Sequence, residues 1–212
     1  EPRPRTSALK AAISEVGRPL IEPAVRKLGA RVDGRWERVH RLLVPRGELW
    51  NAMVDYLPVA RPELLPPLAR YLEVLLDGGD RATASAAFWA ELGQDGVGAG
   101  APARTQAPPD LLTEVDGEPV LIGVARDPIE IMHLGSVNLG NSCLDCVGGV
   151  RRELAQDHIF DPERVVVNAY RRTEDGRRGK RLARVSVQRV GRRIVPITHP
   201  FTSNTDLDFR SV

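Results

Sequence analysis

Residues 164–190 read RVVVNAYRRTEDGRRGKRLARVSVQRV, and this stretch decides the fold class of the second half of the chain. Its first nine residues are rich in valine and predict a strand, and the letters TEDG that follow are typical of a hairpin turn. In its last eleven residues apolar and polar side chains alternate, which predicts a second strand with one face in water. That polar face would carry Arg184, Ser186 and Gln188.

The segments around this hairpin extend it into a meander. Gly191 predicts another turn, and residues 193–201 predict a third strand. Upstream, residues 119–125 form a short apolar run that predicts a buried strand, and Asp127-Pro128 predicts the start of a helix. We therefore expect an α+β fold with an antiparallel β-meander and helices packed on one side.

The residues before this part are of a different kind. Between 93 and 109, 11 of 17 residues are Gly, Ala or Pro, which is typical of a flexible or extended connector. We expect a helical domain over 1–92, a linker over 93–109 and a smaller α+β domain over 110–212.

The helical half contains an internal repeat. Residues 20–34 align with residues 64–78 at an offset of 44, with six of the 15 positions identical. This period lies in the range of paired-helix solenoid repeats. The first half therefore resembles a HEAT-like helical repeat, and the resemblance implies an all-α fold and a protein partner bound on the repeat face. A helical bundle with a chance repeat is the alternative.

Composition excludes several classes of protein. The chain has 212 residues, 42% of them hydrophobic, which suffices for a packed core. No apolar run is long enough to span a bilayer, and two cysteines cannot hold a disulfide scaffold together. We expect a cytoplasmic, bacterial-type protein with no membrane partner. The absence of an initiator Met suggests a fragment of a longer chain.

Residues 141–149, NSCLDCVGG, hold both cysteines as a C-x-x-C pair. Ser142 and Asp145 have the spacing of a capping box, which would place Cys143 in the first turn of a helix. The partial positive charge of a helix N-terminus would lower the pKa of the Cys143 thiol.

Four interpretations of the pair stay open. Cys143 and Cys146 are buried small residues in a tight turn, or they form a dithiol redox pair. Cys143 is a catalytic nucleophile with His133 or His158 as its base. The fourth is a metal site of Cys143, Cys146, His133 and His158, whose two thiolates and two imidazoles suit tetrahedral zinc. The sequence requires no cofactor otherwise.

The predicted meander is strongly basic. Residues 164–193 hold 11 Lys and Arg against two acids, a charge that would attract phosphates. The candidate nucleic-acid contacts are Arg171, Arg172, Arg177, Arg178, Lys180 and Arg181. An arginine-rich surface in water is the alternative.

The sequence thus supports three functions and does not decide whether the protein is an enzyme. The first is a scaffold or interaction protein of helical-repeat type whose α+β domain holds the Cys143/Cys146 turn. The second is a thiol-dependent enzyme with Cys143 as nucleophile. The third is nucleic-acid binding through residues 164–193.

Overall fold

The chain divides into two compact units, Glu1–Leu92 and Gly93–Val212. We analysed a computed structural model, which describes residues 22, 26–29, 31–32, 35–43, 49, 52–94, 109–134, 155–196 and 202–203. The helices and strands below are numbered in chain order within these ranges. The presence of helices together with an antiparallel sheet confirms the predicted α+β class.

The described elements of the first unit are helical. Helix α1 spans Trp36–Leu43, α2 spans Leu65–Leu76 and α3 spans Arg81–Gln94, with single helical turns over Ala52–Tyr56, Leu57–Val59 and Pro62–Leu64. The largest fully buried side chains of the described residues, among them Trp89, Tyr56, Tyr71 and Phe88, lie in this unit and form its core.

The helix boundaries of this unit have local causes. Gly78 follows α2 with a φ of 93°, a left-handed conformation that ends a helix at little cost. Asp80 then accepts a hydrogen bond from the backbone N–H of Thr83 at 2.7 Å and so caps the start of α3.

The second unit contains a five-stranded antiparallel meander in the order β1-β2-β3-β4-β5. The strands span Leu111–Val115, Glu118–Val124, Arg164–Arg172, Arg178–Val190 and Arg193–Pro196, and the short β6, Thr202–Ser203, pairs with β4. Two short helices, α4 (Pro128–Met132) and α5 (Asp157–Phe160), connect β2 to β3 and contact each other. The meander is confirmed, whereas sequence analysis missed its first strand, β1.

Two one-residue shifts interrupt the pairing of β3 with β4. Asn168 faces Arg184 and Ala169 faces Ala183, but Tyr170 faces Arg181, and the next described pair is Arg172 with Arg178. Each shift inserts one extra residue into β4, as in a β-bulge. As a result Arg178, Arg181 and Arg184, three residues apart each time, share the face of the sheet that carries Asn168 and Tyr170.

The prediction that Arg184, Ser186 and Gln188 face water is wrong for the first two. Arg184 is 5% exposed and Ser186 is fully buried, and Gln188 is partly buried. The alternation correctly separates two faces, but both are covered. The opposite face packs Val115, Val120, Ala169, Leu182 and Ala183 into an apolar cluster, so the second unit has an apolar face and a buried polar face.

Candidate functional site

Helix α4 places the carboxylate of Glu130 on the buried polar face. Asp127 caps this helix by accepting a hydrogen bond from the Ile129 N–H at 2.8 Å, and Pro128 occupies its first position, as the sequence predicts. Ile129 and Ile131 are fully buried on the same helix. The packing of these residues fixes Glu130 against β3.

The Glu130 carboxylate meets two side chains of β3. Its Oε1 accepts a short hydrogen bond from the Tyr170 hydroxyl and another from Asn168 Nδ2 at 3.0 Å. Asn168 Nδ2 also donates to the Tyr170 hydroxyl at 3.0 Å. Asn168 is 1% exposed and Tyr170 is 4% exposed, whereas the Glu130 side chain keeps an exposure of 16%, so the triangle is largely buried.

Arg178 joins this triangle to the rest of the sheet. Its guanidinium donates to both oxygens of Asp110 at 2.7 Å, to the Val124 carbonyl at 3.0 Å and to the Tyr170 hydroxyl at 3.2 Å. Its Cζ also lies 4.6 Å from the centre of the Tyr170 ring, a cation–π distance. Because the N–H groups of the guanidinium already donate to these acceptors, Arg178 is a structural cross-link and is not available to bind an anion.

A glycine makes room for the Asp110–Arg178 ion pair. A Cβ placed on Gly123 would lie 2.6 Å from Arg178 Nη2 and would also overlap the Asp110 carboxylate. Any larger residue at this position would therefore displace the ion pair.

Burial and neighbouring charges shift the pKa values of the ionisable groups in this site in opposite directions. Burial raises the pKa of the Glu130 carboxyl, while its hydrogen bond from Tyr170 and the nearby Arg181 and Arg178 act against that shift. Burial, followed by the charge of Glu130, raises the pKa of the Tyr170 hydroxyl. The hydrogen bond from Arg178 lowers the pKa of Asp110. These shifts favour the protonated forms of Glu130 and Tyr170 and the ionised form of Asp110.

Asn168 Oδ1 and Ser186 Oγ are among the buried polar atoms of this face that have no hydrogen-bond partner in the described residues. Sequence analysis did not find Asp110, Glu130 or Tyr170 as site residues. These three lie 20 to 60 residues apart, and they come together through the packing of α4 on β3 and the ion pair of Arg178 with Asp110.

The predicted thiol or metal site is placed only in part. Cys143 and Cys146 lie outside the described residues. His133 follows the last turn of α4, is 4% exposed, and its carbonyl accepts a hydrogen bond from Arg181 at 2.9 Å. His158 lies in α5 and is 3% exposed. Because α4 and α5 contact each other, the structure brings together the helical segments on which the two predicted histidines lie.

Across the described part of the chain, no group of three or more His, Cys, Asp or Glu side chains is arranged to hold a metal ion. The described helices include none long and apolar enough to cross a membrane.

The six predicted nucleic-acid contacts are divided between two environments. Arg178 and Arg181 point to the interior, where Asp110, Tyr170 and the backbone carbonyls of α4 hold them. The other four lie at the surface of the β3–β4 hairpin and are Arg171, Arg172, Arg177 and Lys180.

Three of these surface cations line one open groove of about 560 Å³ at the hairpin: Arg171, Arg172 and Lys180. Thr173, Glu174, Asp175 and Gly179 complete its lining. Arg171 forms an exposed ion pair with Glu118 at 3.1 Å. Within the described ranges, neither Arg172 nor Lys180 has an ion-pair or hydrogen-bond partner for its side chain.

Comparison with protein-family models, with curated proteins and with solved structures found no match to this chain.

Proposed function

We propose that the Gly93–Val212 unit binds the phosphate backbone of a nucleic acid in the groove of the β3–β4 hairpin, which we call the hairpin groove. The observation that carries the proposal is that Arg171, Arg172 and Lys180 line the same open surface. Phosphate contacts require cations that are exposed and not already neutralised, because binding exchanges condensed counterions for protein charge.

The charges of the hairpin groove support this role. Arg172 and Lys180 are exposed and have no acidic partner among the described residues. The Arg171–Glu118 pair leaves these side chains 56% and 46% exposed, and such surface pairs contribute about 0–1 kcal/mol, so a phosphate can replace the glutamate. Asp175 is engaged by Thr173 at 2.5 Å and by Arg177 at 3.2 Å, which reduces its repulsion of an anion.

The lining of the groove also limits what can be recognised. Readers of single strands stack bases on aromatic side chains, but Tyr170, the aromatic residue closest in sequence, is buried under α4. None of the seven lining residues is aromatic. We therefore expect contacts to phosphates, with little sequence preference.

The test is fluorescence anisotropy of a labelled single-stranded oligonucleotide titrated with the full chain at several salt concentrations. The double variant Arg172→Gln/Lys180→Gln removes the two cations without partners. Its slope of log K against log salt should be shallower than that of the wild type by about 1.4, or about 0.7 for each lost contact.

The matched control is Arg192→Gln/Arg193→Gln, which removes the same charge at the exposed β4–β5 turn. It should leave the slope unchanged. Equal weakening by both double variants would mean attraction to net charge alone, and the absence of binding at low salt would overturn the proposal.

A second candidate function, a helical-repeat scaffold, concerns the Glu1–Leu92 unit. It is favoured by contacts between residues that directly follow the first repeat copy and the end of the second copy: Arg35 pairs with Asp77 at 2.6 Å, and Arg38 donates to the Leu76 carbonyl. Stacked repeats stabilise each other through such neighbour contacts. A double-mutant cycle with Arg35→Ala and Asp77→Ala should show coupling between these segments, whereas additive effects would argue against stacked repeats.

A further inference from the structure

Strand β1 forms one edge of the sheet and exposes two leucine side chains. It pairs with β2 on one side, and no described strand pairs with it on the other. Leu111 is 62% exposed and Leu112 is 54% exposed, although they are neighbours whose side chains lie on opposite faces of the sheet. Soluble proteins usually protect such an edge with charged residues, Pro or a bulge; the five residues of β1 include neither Pro nor a bulge, and Glu114 is their one charged residue.

The turn after β1 determines which backbone groups face outward. Asp116 and Gly117 have φ values of 52° and 81°, as in a two-residue type I′ turn. Val115 and Glu118, which flank this turn, therefore exchange backbone hydrogen bonds. Counting back from Val115, every second residue of β1 exchanges them with its partner on β2 in the same way. The N–H and C=O groups of Leu112 and Glu114 consequently point away from β2, to the open edge.

Strand β5 forms the opposite edge of the sheet and differs from β1 in that it contains a proline. It follows a two-residue turn of Gly191 and Arg192, because Val190 pairs with Arg193. The same alternation directs the backbone of Ile194 and the nitrogen of Pro196 outward. Because proline has no N–H to donate, Pro196 weakens this edge as a template for pairing.

We propose that β1 pairs antiparallel with β1 of a second copy of this chain, with a two-fold axis at Thr113. In this register the outward groups of Leu112 meet those of the partner's Glu114, and the reverse contact follows by symmetry. Leu111 comes beside the partner's Val115, on the face that carries the apolar cluster. Among the five paired residues no like charges oppose each other, since Glu114 faces a leucine, and Asp110, which directly precedes them, is paired with Arg178.

The size of this contact determines its strength. Pairing of two five-residue strands buries well under the roughly 1,200 Å² at which specific, stable interfaces begin. The dimer is therefore weak and reversible, and it forms as the protein concentration rises. A closed two-fold contact stops at the dimer, whereas head-to-tail pairing of β1 with β5 would continue into a chain of copies.

The experiment is sedimentation velocity of the full chain from micromolar to millimolar concentration, with two variants that carry the same substitution at opposite edges. Leu112→Lys places a charge on the β1 edge, and Ile194→Lys places one on β5, where Ile194 is 72% exposed. Circular dichroism and urea midpoints equal to wild type establish that both variants fold.

We expect wild type and Ile194→Lys to reach a dimer with similar dissociation constants. Leu112→Lys should raise that constant by at least about tenfold, because it removes an apolar side chain from the contact and opposes edge pairing. A wild-type monomer at all concentrations would overturn the proposal. So would association that Ile194→Lys abolishes, or species that grow beyond the dimer.

Discussion

Replacing Arg178 by alanine tests whether the buried polar face is held together by one guanidinium. The change removes a hydrogen-bond donor from three acceptors, the Asp110 carboxylate, the Val124 carbonyl and the Tyr170 hydroxyl, of which Tyr170 keeps the donor Asn168 Nδ2. Breaking a fully buried ion pair costs about 3–5 kcal/mol. Here Arg178 is 25% and Asp110 20% exposed at the side chain, so we expect about 3 kcal/mol, near the lower end.

The assay is urea unfolding of the full chain followed by two signals. The three tryptophans of the chain, Trp36, Trp50 and Trp89, all lie in the first unit, so their fluorescence reports that unit alone. Far-ultraviolet circular dichroism near the β-sheet minimum reports the second unit as well. A loss of about 3 kcal/mol lowers the midpoint of the sheet signal by roughly 1–3 M urea and should leave the tryptophan midpoint in place.

Arg171→Ala is the matched control, because Arg171 forms an exposed pair with Glu118. It should cost less than about 1 kcal/mol. Combined with Arg178→Ala, the variant Asp110→Asn should show a coupling energy of about 1–3 kcal/mol. If Arg178→Ala costs no more than Arg171→Ala, the guanidinium does not hold the sheet together and our account of the polar face is wrong.

The same pair predicts an acid limb of stability. Because Arg178 lowers the pKa of Asp110 in the folded state, the pair stabilises the fold above the unfolded value near 3.8. That contribution is lost as pH falls through the lower folded value. In a pH series of urea midpoints below about pH 4, Asp110→Asn should therefore fall less steeply than wild type.

Three further predictions concern the second unit. Burial raises the pKa of Glu130, so its contribution to the free energy of unfolding is complete below the unfolded value near 4.5 and is lost as pH rises. In urea titrations at rising pH, Glu130→Gln should therefore gain stability relative to wild type. A difference that stays constant with pH would mean that Glu130 is ionised throughout. Gly123→Ala should destabilise the sheet by displacing the Asp110–Arg178 pair, and this loss should shrink in an Asp110→Asn background. If Cys143 is a nucleophile, mass spectrometry should show it alkylated faster than Cys146, with a midpoint below about pH 8.5; slow labelling of both until unfolding would contradict that role.

Local signals predicted much of the second unit. The bounds of β3, the cap at Asp127 and the turn at 173–176 depend on residues close in sequence, and the structure places them as expected. Strand β1 was missed because its five residues, LLTEV, do not alternate cleanly, although Asp116-Gly117 is a hairpin signal that could have revealed it.

The candidate site could not be predicted in the same way. Alternation along β4 separates Arg184 and Ser186 from their apolar neighbours but does not reveal that the polar side is covered. Glu130 meets Tyr170 across 40 residues, and that contact depends on α4 packing on β3. Such contacts follow from tertiary packing, which a period of two residues does not encode.

The two bulges of β4 constrain how this hairpin can change in length. Each extra residue changes whether the odd-numbered or the even-numbered positions of β4 lie on the buried polar face, so that Arg178, Arg181 and Arg184 share it. Because Leu182 is such an extra residue, deleting it would close one bulge and leave Arg181 opposite Tyr170 and Arg178 in the interior. The bulges are therefore the positions at which this hairpin can lose a residue without turning Arg178 outward.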